Sequence, residues 1–182
     1  PIIDSTNSEL MRRIQNKVAL ESGTVVVAEM QQAGRGRRGR VWQSPFGANL
    51  YYSYFWRLDD GLQAAMGVSI AVGLAVYDAI KALYDIDIEL KWPNDIYINK
   101  QKLAGVLVEL DGQPQGPCQL VIGIGINLQM PQNTSEHIDQ AWTDLSQHTT
   151  ALDKNQLVAS LTFYLEQRLA DYQQDGLNSM YA

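Results

Sequence analysis

Apolar residues recur every three or four positions in three stretches of this chain, a spacing that places them on one face of an α-helix. These stretches are residues 9–14, 62–84 and 152–172. The third is the most regular, because leucine recurs every four residues from Leu157 to Leu169. Asp153 precedes it as a candidate N-cap, and Gly176 follows it as a candidate terminator. The pattern therefore predicts three helices.

The first two helices carry further signals. Ser5, Thr6 and Asn7 are residue types that cap helix starts, and they precede the first apolar stretch. We expect that helix region to end at Gly23. The second stretch is rich in alanine and is expected to form a core helix. Its periodic apolar residues, which we expect to face the core, are Met66, Ile70, Leu74, Ile80 and Leu83.

Runs of β-branched and aromatic residues, separated by turn-forming residues, predict the strands. The predicted strands are residues 24–29, 49–57, 87–91, 96–98, 102–110 and 118–127. The order along the chain is helix, strands, helix, a run of strands, and helix. This order predicts an α+β fold, with a mixed or antiparallel sheet and its helices packed on one side. A strictly alternating, doubly wound fold is not expected.

Length and composition narrow the class of protein. The chain has 182 residues, 46% of them hydrophobic, which fits one domain spanning residues 1–182. A single cysteine and two histidines leave no disulfide and no zinc cluster, so we expect no protein-bound metal site. No apolar run approaches the roughly 18 residues that span a bilayer, and no signal peptide is recognisable. A cytoplasmic protein without a membrane partner is expected.

Positive charge is concentrated in one segment although the net charge of the chain is -6. Arg35, Arg37, Arg38 and Arg40 fall within six residues and are spaced by glycines. Four guanidiniums cannot be buried together without partners, so this segment is expected to be a loop that binds an anion. The alternatives are a solvated basic loop and a nucleic-acid-binding segment. The acidic composition of the chain disfavours the nucleic-acid interpretation.

Three other segments lie at predicted strand ends. They are Lys91-Trp92-Pro93-Asn94-Asp95, Lys102-Leu103-Ala104-Gly105 and Gly123-Ile124-Gly125-Ile126-Asn127. Taken singly, Lys102 is commonly a solvated lysine and Asp95 a turn former. Glycine inside a strand often marks the close approach of a ligand. We therefore interpret the last segment as part of a binding surface.

Together these motifs resemble the catalytic domain of bacterial biotin–protein ligases, which share their fold with lipoate ligases. Three further motifs carry the resemblance, which runs from Ser5 to about Leu177. They are Ser5-Thr6-Asn7, Glu29 with Gln31-Gln32-Ala33-Gly34-Arg35-Gly36-Arg37-Arg38-Gly39-Arg40 and Trp42, and Ser44-Pro45-Phe46-Gly47-Ala48-Asn49-Leu50. The resemblance implies ATP-dependent activation of biotin to biotinyl-5'-AMP with magnesium. It further implies transfer of biotin to a lysine of an acceptor, biotin carboxyl carrier protein.

The resemblance also implies roles for particular residues. Biotin is expected to contact Ser5, Thr6, Asn7, Gln31, Gly34, Arg35, Gly36, Arg37 and Lys102. The nucleotide is expected to contact Arg37, Trp42, Asn94 and Asn127. Arg35, Arg37 and Lys102 would bring carboxylate and phosphate together, and Asp95 would orient or deprotonate the acceptor amine. A simple helix cap is the alternative for Ser5, Thr6 and Asn7.

Two domains common in this family have no counterpart in these 182 residues. We expect neither an N-terminal winged-helix domain nor a C-terminal barrel in this chain, and therefore no DNA partner. The sequence does not decide whether the chain forms a homodimer. The rival functions are a lipoate or octanoate ligase, with the same adenylate chemistry, and a non-catalytic sensor of biotin or adenylate.

Overall fold

The computed structural model describes residues 1–59, 65, 67–112, 116–131, 134 and 138–181. Several sequence-based predictions lie outside the described residues. They concern the start of the second helix at residues 62–64, Met66, and residues 113–115, which are the centre of a hairpin loop expected between the strands at 102–110 and 118–127. No helix in the described part of the chain has the length and hydrophobicity needed to cross a membrane.

Eight strands and three α-helices make up the described fold. The strands are β1 (Ile2–Ile3), β2 (Val25–Ala28), β3 (Met30–Gln31), β4 (Asn49–Leu58), β5 (Glu89–Lys91), β6 (Asp95–Ile98), β7 (Gln101–Gly112) and β8 (Cys118–Asn127). The helices are α1 (Thr6–Gln15), α2 (Val68–Tyr84) and α3 (Lys154–Asp175). Six strands form one antiparallel sheet in the order β2-β4-β8-β7-β6-β5, and β1 pairs with β3 in parallel. The predicted α+β fold is confirmed.

The two faces of the large sheet have different roles. On one face, side chains such as Tyr52 and Ile122 join α2 and α3 in the main hydrophobic core. On the other face, Phe55 and Val121 contact α1. The expectation that the helices share one side holds for α2 and α3, whereas α1 packs on the opposite face. Because α1 covers only part of that face, the remainder is free to form a site.

The first helix starts where predicted but ends earlier. Ser5 is the N-cap, and its Oγ accepts a 3.5 Å hydrogen bond from the backbone N–H of Ser8. The helix ends at Gln15, so the predicted end at Gly23 was wrong by eight residues. Lys17 has a φ of 56°, and a residue in this left-handed region cannot continue a right-handed helix.

The packing of α2 differs from the predicted pattern. Ile80 is buried, but Ile70, Leu74 and Leu83 are only partly buried. The fully buried positions are instead mostly small or β-branched: Val68, Ala71, Val72, Ala75, Val76 and Ala79. Small residues let α2 lie close to α3 and the sheet. Gly67 shows this closeness, since a Cβ there would lie 2.7 Å from the Tyr172 hydroxyl.

The prediction for α3 is confirmed. Asp153 caps its start, with its Oδ1 2.8 Å from the Asn155 nitrogen, and Gly176 with a φ of 59° ends it. The leucines recurring every four residues are at most 1% exposed. They are Leu157, Leu161, Leu165 and Leu169. One face of α3 therefore supplies much of the core beneath the sheet.

Replacing Leu161 with alanine is expected to lower the free energy of unfolding by about 2–5 kcal/mol, because it leaves a cavity in a packed core. Phe163→Ala on the same helix is the matched control, since Phe163 is 54% exposed, and should cost less than about 1 kcal/mol. Urea unfolding of both variants measures the difference. Equal losses would contradict this description of the core.

Candidate functional site

A patch of bare backbone lies on the face of the sheet that α1 leaves uncovered. Gly105 of β7 pairs directly with Gly125 of β8, and Gly123 lies two residues away on β8. The indole of Trp42 covers the pair, since a Cβ on Gly125 would lie 2.6 Å from Trp42 Cε2. Asn7 lies over Gly123 in the same way. The sequence interpretation assigns this closeness to a ligand, whereas in the structure it accommodates the protein's own side chains.

A cavity of about 360 Å³ opens above this patch, and we call it the main cavity. It is enclosed by the start of α1, the arginine loop and the turn at residues 92–95. The structure brings these predicted site residues together around it: Ser5, Thr6, Asn7, Gln31, Arg35, Gly36, Arg37, Trp42, Asn94, Asp95 and Lys102. Gly34 and Asn127 do not line it. A Cβ on Gly34 would lie 2.5 Å from Ser44 Oγ, so Gly34 permits loop packing.

One end of the main cavity is a buried polar network. The Thr6 backbone N–H donates to Gln31 Oε1 at 2.9 Å, and Gln31 Nε2 donates to Ser44 Oγ at 3.3 Å. Ser53 Oγ lies 2.7 Å from Thr6 Oγ1 and 2.5 Å from Asn7 Oδ1. Ser53 was missed by sequence reasoning. The sequence feature that could have identified Ser53 is its position as the one serine among the aromatic residues of β4.

The arginine loop has a defined shape. The Gly36 N–H donates to the Arg40 carbonyl at 2.7 Å, and the Trp42 N–H donates to the Gly34 carbonyl at 3.0 Å. Arg38 stands at its tip with a φ of 57° and is exposed, as is Arg40. The loop is therefore closed by its own backbone across a narrow neck.

Two of the four arginines dock on the walls of the site. Arg35 Nη2 lies 2.9 Å from Glu109 Oε2 and 3.2 Å from Ser8 Oγ. Arg37 Nη1 donates to Asn94 Oδ1 at 3.0 Å, and Asn94 Nδ2 in turn donates to the Val106 carbonyl at 2.9 Å. The interpretation of a fully solvated basic loop is wrong for these two arginines.

Lys102 and Asp95 form an ion pair on the glycine patch. Lys102 Nζ lies 2.7 Å from Asp95 Oδ1, and the side chains are only 12% and 23% exposed. The ammonium also lies 5.6 Å from the centre of the Trp42 ring, within cation–π range. The common alternatives, a solvated lysine and a simple turn former, therefore do not describe these two residues.

Asn127 and Trp42 lie beside a second opening, the side cavity of about 520 Å³, which Trp142 and Met130 also line. Asn127 Nδ2 donates to the Thr143 carbonyl at 2.9 Å and thereby fixes the segment that carries Trp142. Trp42 Nε1 is buried and has no hydrogen-bond partner within the described residues. It is an unsatisfied hydrogen-bond donor beside the glycine patch.

Two titratable features support the walls of the site. Hydrogen bonds from Arg12 lower the pKa of Asp4 and, together with Arg13, that of Glu9, so both carboxylates stay charged around the start of α1. Burial raises the pKa of Tyr51 well above its usual range. The Tyr51 hydroxyl therefore stays protonated and donates to the Pro45 carbonyl at 2.6 Å.

Residues 1–127 match the biotin/lipoate A/B protein ligase family, and the chain belongs to that family. It is 47% identical over 178 residues to the bifunctional ligase/repressor BirA of Salmonella typhimurium, covering 98% of this chain and 55% of that relative. It is 36% identical over 173 residues to the biotin–[acetyl-CoA-carboxylase] ligase of Mycobacterium tuberculosis, covering 92% and 62%. The chain thus spans little more than half the length of its BirA relative.

Solved structures agree with this assignment. The biotin protein ligase of Aquifex aeolicus, in complex with biotin and ATP, superposes with a TM-score of 0.77 at 27% identity, covering 96% of this chain and 70% of that one. The Leishmania major enzyme, in complex with biotinyl-5-AMP, gives 0.73 at 26% identity, covering 95% and 78%. The predicted family and fold are confirmed.

Gly125→Ala is expected to displace the indole of Trp42, because the new Cβ would lie 2.6 Å from Trp42 Cε2. The displaced ring becomes more exposed to water, so intrinsic tryptophan fluorescence should shift to longer wavelength. In a chain carrying Trp42→Phe, the same glycine change should leave the emission maximum unchanged. A shift of equal size in both backgrounds would contradict the packing of Trp42 on this patch.

Proposed function

We propose that this chain activates biotin with ATP to form biotinyl-5'-AMP and then transfers biotin to a lysine of an acceptor, biotin carboxyl carrier protein. The observation that carries the proposal is the Lys102–Asp95 pair, at 2.7 Å, on the floor of a cavity whose wall holds two docked arginines. Family membership and the ligands of the Aquifex and Leishmania enzymes support it.

The first step joins two anions. An oxygen of the biotin carboxylate attacks the α-phosphorus of ATP, a new O–P bond forms, and pyrophosphate leaves with the bonding electron pair. Arg35, Arg37 and Lys102 would offset the repulsion between carboxylate and phosphates, an electrostatic effect worth several kcal/mol in a preorganised site. Arg37 would reach the nucleotide from its position on Asn94.

Magnesium is assigned no protein site. Within the described residues, no group of three or more histidine, cysteine or carboxylate side chains is arranged to hold a metal ion. The phosphate oxygens of ATP are themselves good magnesium ligands. We propose that the ion enters with the nucleotide as part of the substrate.

The second step is attack of the acceptor amine on the acyl carbon, with AMP as the leaving group. The amine must lose a proton as the new C–N bond forms, and Asp95 is the carboxylate placed beside the reacting position. Its oxygen already lies 2.7 Å from the Lys102 ammonium, which would sit over the acyl phosphate. We assign the proton to Asp95 during transfer.

Substrate preference is assigned to the polar end of the main cavity. The ureido ring of biotin carries N–H donors and a carbonyl acceptor, which need partners when buried. Thr6 and Gln31 supply hydroxyl and amide groups at that end, and the buried Ser53 lies behind them. The dithiolane of lipoate has no such groups, so it could make no hydrogen bonds with these side chains. This favours biotin over lipoate.

On the nucleotide side, we assign the adenine to the side cavity. Trp42 and Trp142 offer aromatic surfaces there, and Trp42 Nε1 is an unpaired buried donor. Asn127 borders the same space while fixing residue 143. The acceptor protein, a possible homodimer and the single-domain organisation remain predictions.

Lys102→Ala is expected to abolish the activation step, because it removes the least exposed cation of the site. Mass spectrometry of the chain with biotin, ATP and magnesium should detect biotinyl-adenylate for the wild type and a loss of at least about 100-fold for the variant. Lys81→Ala, which breaks ion pairs remote from the cavity, is the control.

A parallel reaction with lipoate in place of biotin tests the rival function, which is that of a lipoate ligase. Lipoyl-adenylate as the main product would overturn the assignment to biotin.

Asp95→Asn is expected to slow transfer to the acceptor by about 100-fold or more, the scale of a lost general base, with a smaller effect on adenylate formation. Single-turnover assays that follow pyrophosphate release and acceptor biotinylation separately measure both steps. Asp87→Asn, an exposed carboxylate paired with Lys81, is the control. An equal loss in both steps would discard Asp95 as the proton acceptor.

A further inference from the structure

Glu109 contacts the functional site although no sequence motif marks it. Along β7, Val106 and Val108 face the main core, so the alternating positions, Leu107 and Glu109, face the side of the sheet that carries the site. Glu109 Oε2 accepts hydrogen bonds from Asn7 Nδ2 at 2.8 Å and from Arg35 Nη2 at 2.9 Å. One carboxylate oxygen thus joins the start of α1 to the arginine loop.

The Asn7 end of this connection is rigid. Asn7 is 3% exposed and lies over Gly123, which leaves room for its side chain. Its Nδ2 also donates to the Leu107 carbonyl at 3.2 Å, and its Oδ1 lies 2.5 Å from Ser53 Oγ. The position of Glu109 is therefore fixed by the same network that forms the polar end of the main cavity.

The Arg35 end is oriented by Glu109 but keeps donors that Glu109 does not use. The Arg35 side chain is 45% exposed, and within the described residues its hydrogen bonds all use Nη2. Nε and Nη1 therefore stay available to an anionic ligand. An arginine that is already oriented loses less side-chain entropy when it binds a carboxylate. Glu109 also offsets one of four neighbouring positive charges, which would otherwise repel one another.

We propose that Glu109 is a positioning residue that presents Arg35 to the carboxylate of biotin, an inference that rests on the proposed function. Glu109 itself does not touch the reacting atoms. It acts through Arg35. Because the same carboxylate oxygen is hydrogen-bonded to Asn7, the position of Arg35 depends on the position of Asn7. Occupation of the polar end of the cavity and orientation of the arginine loop are thereby coupled.

Biotin affinity of the full chain, measured by calorimetry, tests this proposal. Glu109→Gln keeps the size of the side chain but removes its charge, and should weaken biotin binding about tenfold, the scale of a lost charge-assisted hydrogen bond. Asp111→Asn removes the same charge two residues along β7 at an exposed position, and should change affinity less than about twofold. Thermal unfolding midpoints of both variants should match the wild type.

A double-mutant cycle separates positioning from a structural role. In an Arg35→Ala background, Glu109→Gln should add less than about twofold, because the residue through which it acts is gone. Additive losses, an unchanged affinity of Glu109→Gln, or failure of that variant to fold would each overturn the proposal. Absence of biotin binding by the wild-type chain would overturn the proposed function itself, a different result from any of these.

Discussion

The site depends on a steric constraint, which is that the paired central strands β7 and β8 carry glycines beneath it. Gly105 and Gly125 are direct partners, and the same cross-strand row continues to Asp95 on one side and Tyr51 on the other. The opposite face of these strands is filled by residues such as Ile124 in the main core. A single sheet therefore provides a packed core on one face and, on the other, a glycine floor on which Trp42 and Asn7 lie.

Charge is arranged around this floor so that three of its cations have defined partners, whereas Arg38 and Arg40 are exposed. Lys102 is held by Asp95, Arg35 by Glu109, and Arg37 by the amide of Asn94. The Arg35–Glu109 pair is partly exposed, and such pairs contribute little to folding stability. Its significance is geometric. These few cations, concentrated and oriented at one place, would let an acidic chain bind the proposed anionic ligands.

Local patterns predicted much of the fold. The four-residue leucine repeat, its Asp153 cap and its Gly176 terminator describe α3, and the predicted strand at residues 118–127 coincides with β8. Local pattern did not predict which face each helix would cover. The buried face of α2 is composed mainly of alanine and valine, and of the large periodic residues that the structure describes, only Ile80 is fully buried. The first helix ended early because of a left-handed residue at Lys17 that no periodicity reveals.

The candidate site was predictable where residue type and spacing carry the signal. The arginine loop was identified in this way, whereas the roles of Lys102 and Asp95 came from the resemblance to biotin–protein ligases. The structure gathers all of them around one cavity. Ser53 and Glu109 were missed because their positions depend on strand register and on contacts with Asn7, about 46 and 102 residues away in sequence. The resemblance to biotin–protein ligases supplied the proposed substrate, which no local pattern could have supplied.

Biotin and ATP are proposed to meet above the glycine floor. A crystal structure of the chain with biotin and a non-hydrolysable ATP analogue would show where each of them binds. We expect the biotin carboxylate within hydrogen-bond distance of Lys102 Nζ, with the ureido ring against Thr6 and Gln31. Biotin bound outside the main cavity, or inside it with its carboxylate remote from Lys102 and Arg35, would overturn this arrangement.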